Sequence, residues 1–133
     1  MKVILVDIEE GVLRKQIVSC MESSANSMNL RLAIMFPVPH EQTAEYLIPY
    51  YNGSCDGARK DGYDVLAIVD SYINAAFLSV EEYIKIHRHI SSVATTIYRI
   101  ATERTLPSIY HNVAKVDIDN AEQIPTIINK MFS

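Results

Sequence analysis

The chain is poor in the residues that build the most recognisable sites. It has four glycines in 133 residues. A Walker-type phosphate loop or a dinucleotide fingerprint needs several at fixed spacing, so both are excluded. Its two cysteines, Cys20 and Cys55, form no CxxC pair and have no metal-ligand spacing. They read as reduced thiols of a cytoplasmic protein, and no metal or cofactor is expected. No apolar run approaches the ~20 residues that span a bilayer. No basic segment followed by a long apolar stretch opens the chain, so neither a membrane partner nor a signal peptide is expected. The formal net charge of −4 argues against a nucleic-acid partner, which calls for clustered Lys and Arg. Lys85, Arg88 and Arg99 are the nearest approach to a basic patch, and they read as a solvated helix face.

What the chain does have is a globular balance. Apolar residues make up 49% and charged residues 21%, enough for a single domain of this length to bury a core without staples. Its most informative stretch is Val65-Leu-Ala-Ile-Val69, an unbroken apolar run between Asp64 and Asp70. A short run of this kind, bounded by turn residues, fits a strand buried on both faces in the middle of a parallel sheet. Val3 to Val6 is a second such strand, ending at Asp7, and Leu32 to Phe36 a third, stopped by Pro37 and Pro39.

Between these strands, Gly11 to Met28 has apolar residues at helical spacing and a C-terminal stop at Asn29. Residues 40–51 predict a helical turn or two interrupted by Pro49, Asn52 to Gly57 reads as turn chemistry, and 58–61 as one more helical turn. Tyr83, Ile86, Ile90, Val93, Ile97 and Ile100 recur at steps of three and four. With a Ser79/Glu82 capping box, they predict one long helix over 79–104. Leu106 to His111 then reads as a strand and Lys115 to Ile118 as a short fifth one. Asn120 caps a last helix that begins near residue 124 because of Pro125. The alternation predicts an α/β fold: a three-layer Rossmann-like or flavodoxin-like domain with a mostly parallel sheet of four to five strands.

Open α/β sheets bind their ligands at the carboxyl ends of the strands. Asp7 and Asp70 end two strands of the set. Ser71, Tyr72 and Asn74 follow Asp70 directly, and His40 and His111 each follow a predicted strand. A small-molecule crevice among Asp7, the 37–40 loop with His40, Asp70, Ser71, Asn74 and Tyr98 is therefore expected. His87 and His89 stand two apart on a helix and do not share a face, which argues against a metal site. The predicted long helix would measure roughly 39 Å at 1.5 Å per residue, longer than the ~20 Å strands beneath it. Its overhanging apolar stripe predicts a homodimer or higher homo-oligomer.

Two resemblances add to this reading. Tyr63-Asp-Val-Leu-Ala-Ile-Val-Asp70 followed by Ile97-Tyr-Arg-Ile-Ala-Thr-Glu-Arg-Thr-Leu-Pro-Ser-Ile-Tyr110 resembles the nucleoside deoxyribosyltransferase-like group and its nucleotide N-glycosidase relatives. Ala101 and Pro107 match that pattern. The resemblance implies a nucleoside, nucleotide or ribosyl ligand and N-glycosidic bond cleavage or transfer. Tyr98 stands near where that group carries its catalytic glutamate, so the nucleophilic carboxylate is altered or lost. The opening Ile4-Leu-Val-Asp-Ile-Glu-Glu-Gly-Val-Leu-Arg14 resembles a receiver domain instead. That implies a signalling module with Asp70 as phosphoacceptor, Lys115 as the family's lysine, and Asp7 and Glu9 near magnesium. One uninterrupted helical stripe from 83 to 100 favours the first resemblance.

Overall fold

A computed structural model describes residues 1–36, 44–69, 80–102, 112–116 and 118–133. These residues build a five-stranded sheet in the order β2-β3-β1-β4-β5. The strands are β1 (Lys2–Asp7), β2 (Leu32–Met35), β3 (Val65–Val69), β4 (Thr96–Ala101) and β5 (Asn112–Lys115), and all pair in parallel. Four helices are described: α1 (Val12–Ser27), α2 (Ala44–Lys60), α3 (Val80–Val93) and α4 (Ile124–Phe132). The layered α/β architecture expected from the alternation is present. Its strand order differs from the flavodoxin-like 2-1-3-4-5 by an exchange of β1 and β3.

Side-chain alternation along the interior strands splits the core into two layers. Ile4 and Val6 of β1 and Val65, Ala67 and Val69 of β3 face α1 and α4, against Ile17, Met21 and Ile128. Val3, Leu5, Leu66 and Ile68 face the other way, against Tyr51 and Cys55 of α2 and Ile90 of α3. The unbroken apolar runs Val3–Val6 of β1 and Val65–Val69 of β3 are explained by this double burial.

The helix ends follow from local chemistry. After α1, Asn29 adopts φ 55°. The Leu30 N–H then donates to the Ala25 carbonyl at 2.9 Å, and the Asn29 N–H to Asn26, the Schellman pattern. Gly62, at φ 78°, closes α2 in the same way, with Tyr63 N–H donating to Ala58 at 3.1 Å. Pro125 occupies the first turn of α4, where its missing N–H costs nothing.

Several expectations are corrected. The long helix does not exist: α3 ends at Val93 and β4 begins at Thr96. The stripe at 90, 93, 97 and 100 crosses that boundary. The β-branched run Thr95-Thr96-Ile97 turns the chain into strand, where Ile97 and Ile100 face opposite layers. At 14 residues, α3 is about 21 Å long and overhangs nothing, so the premise for pairing two copies through it is removed. The same finding removes the argument that had favoured one resemblance over the other.

Residues 44–60 form one helix through Pro49, Gly53 and Gly57 rather than turns. Ile48, Tyr51, Cys55 and Ala58 lie at steps of three and four and pack into the core, and that burial overrides the local breakers. The last short strand is 112–115, not 115–118, because Ile118–Gln123 is a 3-10 segment. Asn120 lies inside that segment, and the residue capping α4 is Gln123. The predicted strand 106–111 and Ser79 of the capping box lie outside the described residues. No described helix is long and apolar enough to cross a membrane.

Candidate functional site

The chain leaves β1 toward α1 on one face of the sheet, whereas α3, after β3, lies on the other. β1 and β3 are neighbours, in register through Val6 and Val69. Helices departing to opposite faces make a switch point at the carboxyl ends of these two strands, where a crevice forms.

Beside that edge, a cavity of about 310 Å³ runs along α1, from the β1–α1 turn to Glu22, with Phe36 as its far wall. Its lining includes Glu10 and Gly11 of the β1–α1 turn, Arg14, Lys15 and Ser19 of α1, and Phe36 just beyond β2. Two contacts hold Arg14. Its Nη2 donates to the carbonyl of Val69, the last residue of β3, at 3.2 Å. Its guanidinium carbon lies 5.6 Å from the Phe36 ring centroid, a cation–π distance. Phe36 itself is 52% exposed, an aromatic plane left in solvent at a sheet edge. Gly11 precedes α1 and no side chain caps that helix, so its first N–H groups point outward at its positive end. Lys15 adds a second cation, and Glu10 and Glu22 supply carboxylates to the same walls.

On the other face of the same edge lies a buried ion pair. Arg99 of β4 donates through Nη2 to Oδ2 of Asp7, the last residue of β1. Asp7 is 4% and Arg99 0% exposed. Arg99 is therefore not part of a solvated basic helix face, as its sequence neighbourhood suggests. It is a strand residue inside the α2/α3 layer, level with Leu5. Its Nε and Nη1 have no hydrogen-bond partner among the described residues.

Of the residues expected to share a crevice, Asp7 is at the carboxyl edge. Tyr98 is not beside it: paired with Ile4, it packs against the α1/α4 core on the opposite face. His40, Asp70, Ser71 and Asn74 lie outside the described residues, as do Tyr72 and His111. Lys115 closes β5. His89 pairs through Nε2 with Oδ1 of Asp56 at 2.9 Å, tying α3 to α2 at the surface. Among the described residues, no group of three or more His, Cys, Asp or Glu converges.

A second cavity, about 450 Å³, runs between the edge strand β2 and α2, past Leu32, Met35, Gly53 and Gly57. It has no basic side chain in its walls and lies along the flank of the sheet.

Sequence reasoning missed Arg14 and Phe36. Phe36 was legible only as the end of β2, and Arg14 as one more polar position on α1. The available signal was an aromatic residue immediately before Pro37, where the strand has to leave the sheet.

No family model, curated protein or solved structure matches the chain.

Proposed function

We propose that this chain binds a nucleoside, nucleotide or related ribosyl compound in the cavity between α1 and Phe36, beside the carboxyl edge of the sheet. What supports the reading is Arg14, bonded to the end of β3 and lying over the exposed ring of Phe36. A flat aromatic ring with a fixed cation beside it suits a nucleobase, because every base offers a π-face to stack. The uncapped start of α1 and Lys15 suit an anionic group at the other end of such a ligand. The volume is that of a small-ligand cleft.

The resemblance to deoxyribosyltransferases extends the proposal to N-glycosidic cleavage or transfer. A carboxylate nucleophile would then come from Glu10 or Glu22 of the cavity wall, since Tyr98 has none to offer.

Thermal-shift titration with nucleosides and nucleotides tests the binding. A saturable rise in Tm with at least one of them supports it, and no rise with any overturns it. Release of free base from nucleosides, abolished in Glu10→Gln or Glu22→Gln, tests the reaction. Covalent gain of a phosphoryl group from acetyl phosphate and magnesium, lost in Asp70→Asn, would replace this reading with the receiver-like one.

A further inference from the structure

The groove on the flank of the sheet is a separate surface and does not depend on what the first cavity binds. It follows the whole of β2, from Leu32 to Met35, with α2 as its opposite wall. Among the described residues β2 pairs with β3 alone, so it is a sheet edge. The Arg31 carbonyl accepts the Val65 N–H at 3.1 Å. In a parallel ladder this register gives the main-chain groups of Ala33 and Met35 to β3 and turns those of Leu32 and Ile34 toward the open edge. Leu32–Met35 carries no charge and no proline, the usual guards of such an edge. On the facing wall stand Gly53 and Gly57, one turn apart inside α2. Glycine inside a helix lowers its stability, yet a Cβ at either position would meet nothing within 4 Å. Packing among the described residues does not call for them, whereas a second backbone passing close to α2 does.

We propose that this groove receives an extended peptide segment of another protein, added to the sheet as a sixth strand beside β2. The segment carries apolar side chains at alternate positions and a lysine or arginine beside Asp61. The outward groups of Leu32 and Ile34 recognise any extended backbone, and pockets for alternate side chains select among sequences. Gly53 and Gly57 leave room for an apolar side chain against α2. Asp61 is the one charge among the described lining residues, and it favours a cation at its end of the groove. Arg31, beside it, is engaged elsewhere: its Nη1 donates to the Asp61 carbonyl at 2.8 Å, and its guanidinium lies 4.6 Å from the Tyr63 ring centroid. A second copy of this chain fits less well. Paired antiparallel with itself, β2 would carry its flanking cation, Arg31, to the Met35 end and away from Asp61.

Random heptapeptides displayed on phage, selected on the full chain and counter-selected on Gly57→Arg, supply the probe. The expected result is an enriched set that shares alternating apolar residues next to a lysine or arginine. One of these, as a synthetic peptide, should slow amide hydrogen exchange at Leu32 and Ile34 by about tenfold or more. Ala33 and Met35, already bonded to β3, should change little. Gly57→Arg has room to fold and should weaken the peptide about tenfold, and Asp61→Asn about threefold. No enrichment over Gly57→Arg overturns the proposal, as does a bound peptide that leaves Leu32 and Ile34 unchanged. Amides already slow in dilute, peptide-free protein would show an edge covered by the chain itself, and slowing that follows protein concentration alone would show pairing with a second copy; either overturns it. The exchange measurement needs only the wild type, so it stands if a variant does not fold.

Discussion

Arg14 reaches from the first turn of α1 to the carbonyl of Val69 at 3.2 Å, joining the helix after β1 to the end of β3. The contact anchors Arg14, which lines the cavity, with its guanidinium over Phe36. Replacing Arg14 with Leu keeps the stem and removes both contacts. Part of Arg14 is exposed to the cavity, so stability should fall by no more than about 1 kcal/mol, while affinity for an anionic ligand falls tenfold or more. Urea unfolding beside ligand titration separates the two effects.

Asp7 and Arg99 carry a larger share of stability. Asp7→Ala strands a guanidinium in the core and should cost about 3–5 kcal/mol. The double replacement Asp7→Leu with Arg99→Met removes both charges and should recover most of that loss. Chemical denaturation of the two single variants and the double one gives the coupling. Additive losses would show that the pair does not act as a unit.

How much of this was legible in the sequence depends on the kind of signal. The unbroken apolar runs of β1 and β3 could be read because burial on both faces leaves no other composition. The stop at Asn29 and the helix start near Pro125 could be read because backbone geometry suits those residue types there. The boundary between α3 and β4 could not. Steps of three and four from Ile90 to Ile100 suit a helix, and only packing decides that Ile97 and Ile100 face opposite layers. The glycines of α2 misled for the opposite reason: Gly53 and Gly57 are exposed, and the buried side at Tyr51, Cys55 and Ala58 holds the helix. Of the site, Asp7 was legible as a strand end. Arg99 was not, because its partner is 92 residues away.

Cys55 gives the pH dependence a definite sign. Burial, with Asp56 beside it, pushes the thiol up to about 12 from an ordinary 9.0. Below pH 9 both folded and unfolded chains keep the proton. Between 9 and 12 only the unfolded chain releases it, so stability falls as pH rises, approaching about 1.4 kcal/mol per pH unit. Cys55→Ala should lose that part of the slope, measured by denaturation across the same window. In the native protein, the half-buried Cys20 should react with a thiol reagent well before Cys55 does.

Gly62 closes α2 at φ 78°, and a Cβ there would meet Nη1 of Arg31 at 3.4 Å. Gly62→Ala should therefore cost about 1–2 kcal/mol, chiefly through backbone strain. Asn29→Gly, at φ 55°, should be neutral or slightly stabilising. Thermal unfolding of both variants checks the contrast, and equal effects would contradict it.

The central claim is that the exposed ring of Phe36 is a stacking surface for a ribosyl ligand. Isothermal titration of adenosine monophosphate into the wild type and Phe36→Ala tests it most directly. The account predicts saturable binding to the wild type, weakened about tenfold or more in the variant, with unfolding midpoints nearly equal. Equal affinities in the two proteins, or no heat of binding in the wild type, would contradict it.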